Sequence, residues 1–409
     1  MQRTLFLRSS FTERFGLEIS VVIAFVVKLI LSFTTIGTND SATWYGFLRY
    51  ISQHDGISLY HQIETFNHPP LMIHVLQVMG FLNSFTGISF YFWLRLPAIL
   101  ADIGSVVIVA RLLKRYLEPR ILRSNLLLLA LAPASVMISG FHGNSDPLMI
   151  FFLLLTIYSL DQKSNVWLAG IAFGMSMNIK VMPVIFVPAL LLYLPSSTKR
   201  VLFLMLAGAT FIICGSPYII RDPLFIGMRL FGYGSNYGIW GIPRLLMLLS
   251  TNSSGFQSLN LVYAQFGKWS MLALIVAVSI WMNRSLQKPP LFLQFGLITF
   301  TFMAVTPGFG VQYLAWMVPW VIISIEMTLL YYAISGLFLF SVYTAWSHGI
   351  PWFFADSFRL TEPLIYLELL CWASVVIILF MYYIRVKMYF IARDTRQREQ
   401  VDSDHAVGR

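Results

Sequence analysis

The chain has 409 residues, 57% of them hydrophobic and 11% charged, with a formal net charge of +10 and a mean hydropathy of +0.72. No water-soluble fold hides that much apolar surface, whereas a bilayer requires it, so a soluble enzyme of two or three domains is excluded. The positive charge does not point to nucleic acid, because it is gathered in particular loops and reads as an orientation signal.

Three arginines (Arg3, Arg8 and Arg14) precede the first apolar run, Leu17–Ile36, and no small-residue cleavage site is evident. The run therefore reads as an uncleaved signal anchor. From Gly37 to Phe92 comes a long polar loop holding Asp40, His54, Asp55, His61, Glu64 and His68. Inside it, Leu71–Phe85 is apolar but only about fifteen residues long, short of the ~20 that a spanning helix needs. After the Pro69–Pro70 stop it reads as a helix lying along the outer membrane surface. Further apolar runs follow: Trp93–Leu113, Asn125–Gly140, Leu148–Leu160, Val166–Met182, Val184–Leu194, Val201–Ile219, Leu261–Met282, Leu291–Val305, Tyr313–Leu330, Ala333–Trp346 and Leu364–Ile384. The expected fold class is all-α, a polytopic membrane helical bundle of about twelve spans, with interfacial helices in the long first extracytoplasmic loop. Cys214 and Cys371 lie in apolar runs and read as packed small hydrophobes.

With the amino terminus inside, Arg111, Lys114, Arg115, Arg120, Arg123, Lys163, Lys199, Arg200, Arg284 and Lys288 all face the cytoplasm. So does the basic tail 385–409, which reads as unstructured, and both termini are expected on that side. Lys/Arg bias of this kind sets topology. The opposite loops are longer and chemically mixed: FHGNSDP at 141–147, a Gly/Asn/Ser/Tyr-rich stretch over 220–260, TPGFGVQ at 306–312, and a last loop with His348, Asp356 and Glu362. Six of seven histidines fall on this side, His405 being the exception. Loops held by a rigid scaffold are where function concentrates.

Asp40, just after the first span, is either a helix cap or a general base, ionised at neutral pH. In FNHPPL at 66–71, two prolines fix an extended entry to the next helix and hold His68 beside a rigid turn. HGNSDP at 142–147 places His142, Asn144 and Asp146 between two spans; Asp146 either caps the following helix or binds a hydroxyl or cation. Lys180 ends its run before Pro183. An ammonium there snorkels to the interface or meets a lipid phosphate. Arg95, Arg221 and Arg244 are outer-leaflet cations that anchor to the membrane or hold phosphate. Asp102 and Glu326 read as hydrogen-bonding groups inside the bundle. Gln312 opens a run with Trp316 and Trp320, suited to interfacial anchoring or to sugar contact. No HExxH, CxxC, P-loop or GxGxxG motif is present, so no metal, cofactor or nucleotide is expected.

In their order along the chain these pieces resemble the GT-C superfamily of integral membrane glycosyltransferases, in particular bacterial and archaeal relatives of protein O-mannosyltransferases and of lipid A aminoarabinose transferases. The resemblance rests on Asp40 at the head of the long loop, FNHPPL, RLPAILADIGSVVIVARLL, SGFHGNSDPL, NIKVMPVIFVPALL and, later, FGVQYLAWMVPW. Ser41 stands where the O-mannosyltransferases carry a second acidic residue.

The resemblance implies a catalytic module over 17–195, including the loop 37–92, joined to C-terminal spans over 201–384 in one membrane domain. It implies an inverting hexosyltransferase in the cell membrane with its site on the extracytoplasmic face. The donor would be a polyprenyl-phosphate sugar, and the acceptor an envelope glycan, lipid or protein. Asp40 would be the base, and His68, His142, Asn144, Asp146, Lys180, Arg244 and Gln312 would bind substrate. The rival reading is a transporter or flippase of lipid-linked sugars, for which internal repeats and midplane charges are the expected marks. A polymerase or ligase using a polyprenyl-diphosphate donor is a third.

Overall fold

Long apolar runs satisfy every backbone group internally only as helices, and the computed structural model is a helical membrane bundle. It describes all residues except 1, 233, 252, 285–287, 357–358 and 408–409. In chain order, the first elements are α1 (Gln2–Thr34), β1 (Gly37–Thr38), α2 (Asn39–Ile51), α3 (Gly56–Gln62), α4 (Leu71–Thr86) and α5 (Phe90–Leu113). Next come α6 (Pro119–Ala130), α7 (Pro133–Ser135), a π turn (Val136–His142), α8 (Asp146–Asp161) and α9 (Val166–Ile179). After α10 (Val187–Tyr193), α11 (Ser197–Ile219) and α12 (Pro223–Gly232), the chain forms β2 (Asn236–Tyr237), α13 (Gly241–Ser250) and α14 (Ser254–Asn283). The last part holds α15 (Leu291–Val305), β3 (Gly308–Phe309), α16 (Leu314–Met317), α17 (Ile325–Trp346), β4 (Phe354–Ala355) and α18 (Glu362–Val407).

Among the described residues, seven helices are long and apolar enough to cross a bilayer: Leu17–Thr34, Phe90–Leu113, Pro119–His142, Ser197–Ile219, Ser254–Asn283, Ile325–Trp346 and Glu362–Phe390. Half of the apolar window is buried in Phe90–Leu113, Pro119–His142 and Ile325–Trp346, against 17% in Leu17–Thr34 and Ser254–Asn283. The first three are therefore the centre of the bundle and the last two its apolar rim. Helices α5, α8, α9 and α11 pack side by side in sequence order, and α18 lies against α15 and α17.

Several expected boundaries move, each for a local reason. The run Tyr313–Leu330 is not one helix: it divides into short helical turns over Val311–Ile323, and α17 begins only at Ile325. Pro319 lacks an N–H and crowds the preceding turn, and Ser324 is extended at φ −148°. Glu326, expected inside a span, is exposed in the first turn of α17 and accepts a hydrogen bond from Ser324 Oγ, where a helix dipole favours an acid. The stretch 220–260, expected as one loop, holds α12 and α13, and α14 starts seven residues ahead of the expected Leu261. The tail, expected to be unstructured, continues α18 to Val407, because no Pro or Gly interrupts a segment rich in good helix formers; Arg409 lies outside the described residues.

Two polar clusters lock the centre. Lys28 Nζ sits 3.0 Å from Asp102 Oδ2 and donates to Ser135 Oγ at 2.9 Å, while Ser135 Oγ donates to Asp102 at 2.7 Å. An unpaired charge at membrane depth costs about 3 kcal/mol on insertion scales, so pairing across α1, α5 and α7 fixes their register. Asp102 is thus the hydrogen-bonding group expected of it. Arg95 is not a membrane anchor. Its guanidinium, wholly buried, donates to the carbonyls of Leu31, Ser32 and Thr35, to Thr35 Oγ1 and to Ile36 O. These acceptors cluster at the C-terminal end of α1, where helix carbonyls run out of partners within the helix.

Two short pairings then tie the loops together at one end of the bundle. Gly37 and Thr38 pair in parallel with Phe354 and Ala355, and Asn236 and Tyr237 pair antiparallel with Phe309 and Gly308.

Candidate active site

The site grows from the end of α1. Gly37 takes φ +99°, and an added Cβ there would sit 2.3 Å from both Arg95 Nη2 and Phe141 O, so only glycine lets the chain turn past them. Thr38 follows as the cap of α2: its Oγ1 accepts from the Asp40 N–H at 3.2 Å and donates to His142 O at 2.9 Å. The cap role considered for Asp40 belongs to Thr38, which leaves the Asp40 carboxylate in the first turn with its side chain 28% exposed.

That carboxylate is held from one side. His142 Nε2 lies 3.0 Å, and Asn144 Nδ2 2.9 Å, from the same oxygen, Asp40 Oδ2. Both of these bonds go to Oδ2 and not to Oδ1. Burial raises the carboxyl, but the His142 charge, the hydrogen bonds from His142 and Asn144 and the Lys180 charge outweigh it and hold Asp40 at about 2. Behind His142, Nδ1 meets the Tyr343 hydroxyl at 2.7 Å.

The HGNSDP segment reaches this position because the span Pro119–His142 ends in a π turn, a feature that recurs at functional sites. Gly143 then reverses the chain at φ +81°, and a Cβ there would lie 2.1 Å from Ser41 Oγ. Ser41 itself donates to His142 O at 2.9 Å. Gly143→Ala is expected to lower stability by about 1–3 kcal/mol and to displace His142 from Asp40. Thermal unfolding of the purified variant checks this; an unchanged midpoint would show that the loop relaxes freely.

Asp146 opens α8 and is fully buried. Its Oδ1 takes Lys180 Nζ at 2.7 Å and Trp316 Nε1 at 3.0 Å. It therefore anchors Lys180 and does not itself line the cavity. Lys180 ends α9 in extended backbone, its ammonium 5.3 and 5.5 Å from the ring centres of Tyr313 and Trp316, within cation–π range.

Asp40, His68, His142, Asn144, Lys180 and Gln312 all line one cavity of about 510 Å³. The His68 ring lies 4.3 Å from Trp44, its carbonyl accepts from Tyr60 Oη at 2.6 Å, and its Nδ1 is buried with no partner among the described residues. Burial first, then the Lys180 charge, push its imidazole down to about 3 despite Asp40, so it is neutral at working pH. Arg244 is not among the lining residues: it sits in α13, 3.5 Å from buried Glu368 of α18. An arginine one turn into a surface-seeking helix looks the same in sequence whether it faces a substrate or a carboxylate.

The cavity also has walls that sequence reasoning did not select: Asn39, Thr43, Trp44, Glu64, Asn67, Ser235 and Asn236 give it polar and aromatic surface, and Phe338, Trp346 and Leu360 an apolar side. Asn67 lies inside FNHPPL and Glu64 two residues before it, so both were within reach of motif reading. Tyr343 was not, being one aromatic among many in an apolar run.

Residues 67–220 match the family described as dolichyl-phosphate-mannose-protein mannosyltransferase. The matched stretch contains His68, His142, Asn144, Asp146 and Lys180. The resemblance to the GT-C glycosyltransferases is borne out. The chain is 27% identical over 147 residues to GPI mannosyltransferase 1 of Candida albicans, covering 35% of each protein. It is 25% identical over 150 residues to GPI mannosyltransferase 1 of Debaryomyces hansenii, covering 35% of this chain and 34% of that one. The chain thus spans about a third of the length of the curated relatives it matches.

Proposed function

We propose that the protein is an inverting glycosyltransferase that moves a hexosyl group from a polyprenyl-phosphate donor to a hydroxyl of an envelope glycan, lipid or protein. The observation that carries this reading is the convergence of a carboxylate, Asp40, and an ammonium, Lys180, on one cavity of about 510 Å³. A base and a cation facing the same volume are what transfer from a phosphate leaving group needs. The Lys/Arg distribution supports placing this end of the bundle outside the cytoplasm, with about twelve crossings, both termini inside and residues 1–384 as one transferase domain in the cell membrane.

In the proposed reaction the acceptor hydroxyl lies against Asp40 Oδ1, and His142 and Asn144 hold Oδ2 so that the carboxylate cannot turn away. The acceptor oxygen attacks C1 as the bond from C1 to the phosphate oxygen breaks. The hydroxyl proton passes to Asp40 late, when charge at C1 has made it acidic, which suits a weak base. The departing lipid phosphate carries the electron pair and is met by Lys180. Gln312, Asn67 and His68 contact sugar hydroxyls, with Trp44 as a stacking face.

Mannosyl is the sugar to try first, since the matching family and relatives carry that name. The test gives purified protein in lipid nanodiscs polyprenyl-phosphate mannose and then other hexoses, with an envelope lipid fraction as acceptor source. Release of polyprenyl phosphate together with an inverted glycoside is expected. No release with any of these donors overturns the reading.

A further inference from the structure

We propose that the end of the bundle remote from Asp40 holds a second binding site, a cationic cavity that takes the phosphate ester of an anionic lipid headgroup. The inference goes beyond the transferase reading and does not depend on it.

The cavity encloses about 640 Å³, within the range of small-ligand sites and more than a bare phosphate ion fills. Two helices fix its place. Asp146, at the start of α8, holds Lys180 of the first cavity, and Asp161, at the end of α8, lines the second. Helix α8 has 16 residues, so at a rise of about 1.5 Å each its ends lie about 22 Å apart. Helix α9 runs back between the same two places, from Val166 at the second cavity to the residue before Lys180 at the first.

The charge balance of the second cavity is positive. Lys199 and Lys288 line it against one carboxylate, Asp161. That carboxylate is already engaged: Oδ1 accepts from Tyr193 Oη at 2.8 Å, and Oδ2 from the Leu291 N–H at 3.1 Å. Among the described residues, no ion pair joins Lys199, Lys288 or the adjacent Arg200 to an acid. Helix capping accounts for part of this gathering of cations. Lys288 Nζ donates to Leu192 O and, at 3.2 Å, to Tyr193 O, and Arg200 Nε donates to Leu194 O at 3.1 Å. All three carbonyls lie at the C-terminal end of α10, where a helix favours cations.

Capping uses two of the three hydrogens of the Lys288 ammonium and does not involve the Lys199 ammonium at all. Burial first, then the Arg200 charge, push the pKa of Lys288 down, so an anion entering here relieves a repulsion. Lys199 stands in the first turn of the 23-residue α11, the end of a helix that attracts anions.

The surface leading away from the cavity favours a lipid over a soluble phosphate ester. Tyr389 of α18 lines the cavity, and Ile377, Phe380, Ile384 and Met388, at helical spacing on the same helix, are exposed. On α11, Val201, Leu204 and Met205 are exposed just beyond Lys199. A headgroup in the cavity thus leaves its acyl chains against apolar helix faces inside the bilayer. In the orientation proposed above, this is the cytoplasmic leaflet, whose anionic lipids attract basic segments.

Lys199→Gln tests the proposal without risk to the fold, because the Lys199 ammonium has no partner among the described residues. The purified full chain in detergent micelles is titrated with dioctanoyl phosphatidylglycerol, dioctanoyl phosphatidylcholine and glycerol 3-phosphate, and native mass spectrometry reads the bound fraction. Wild type is expected to bind phosphatidylglycerol saturably and about tenfold more tightly than the other two. Lys199→Gln should weaken that binding about fivefold, the contribution of one cation beside an anionic lipid. Lys163, also exposed at this end, does not line the cavity, and Lys163→Gln should leave binding unchanged. Equal affinity for the two lipids, no loss in Lys199→Gln, or an equal loss in Lys163→Gln overturns the proposal. Glycerol 3-phosphate binding as tightly as phosphatidylglycerol overturns the lipid assignment in favour of a soluble phosphate ester. Donor turnover is not read in this experiment, so its failure and that of the transferase reading are told apart.

Discussion

Asp40→Asn lowers donor turnover by about 10²–10⁴-fold, the range a positioned acid or base contributes, and leaves the protein folded. Asparagine keeps the size of the side chain and an oxygen for His142 and Asn144, but cannot take the acceptor's proton. The helix start is not at risk, because Thr38 caps α2. Turnover of lipid-linked donor by wild type and variant, each checked for insertion and monodispersity, decides it; equal rates remove Asp40 from the chemistry. The same variant carries a stability signature. The Asp40 carboxyl is held at about 2 in the fold, below the ~3.9 of a free aspartate. A depressed carboxyl contributes stability that is present above the free value and lost as pH falls towards the folded one. Wild type should therefore lose thermal stability between about pH 4 and pH 2 more steeply than Asp40→Asn.

Lys180→Met has two effects that can be separated. It removes the cation facing the leaving phosphate, for an expected loss of about 10²–10³ in turnover, comparable to removal of one preorganised electrostatic donor. It also strands Asp146, which is fully buried and, among the described residues, keeps only the Trp316 indole as a donor to Oδ1. Breaking a buried pair from one side costs about 3–5 kcal/mol. Adding Asp146→Asn removes the stranded charge, so the double variant should regain much of the lost stability and none of the turnover. Thermal unfolding and donor release measured on the two single variants and the double variant check both halves. Recovery of turnover in the double variant would mean that Lys180 acts only as the counter-charge of Asp146.

The two kinds of residue were legible to different degrees. Asp40, His68, His142, Asn144, Lys180 and Gln312 could be selected because a polar side chain beside a membrane span is costly, and all but Lys180 fall in three loops. Asp146 and Arg244 carried the same signal and have other duties: one holds Lys180, the other faces Glu368. Cost in the membrane marks a residue as employed, and says nothing about its partner.

From sequence alone came the membrane class, the helical build and the reach of the GT-C resemblance, since all of these follow from composition and order along the chain. Only the tertiary structure brought Asp40 within 3.0 Å of a histidine 102 residues away and placed Tyr343 behind it, 201 residues from that histidine. It also broke the run before α17 into turns that present Gln312 to the cavity. The physical reason is range. Hydrophobicity and helix propensity are local and periodic, so they can be read from a window of residues. Hydrogen-bond partners across a bundle depend on register, on a π turn and on two left-handed glycines, whose effects appear only when the helices have packed.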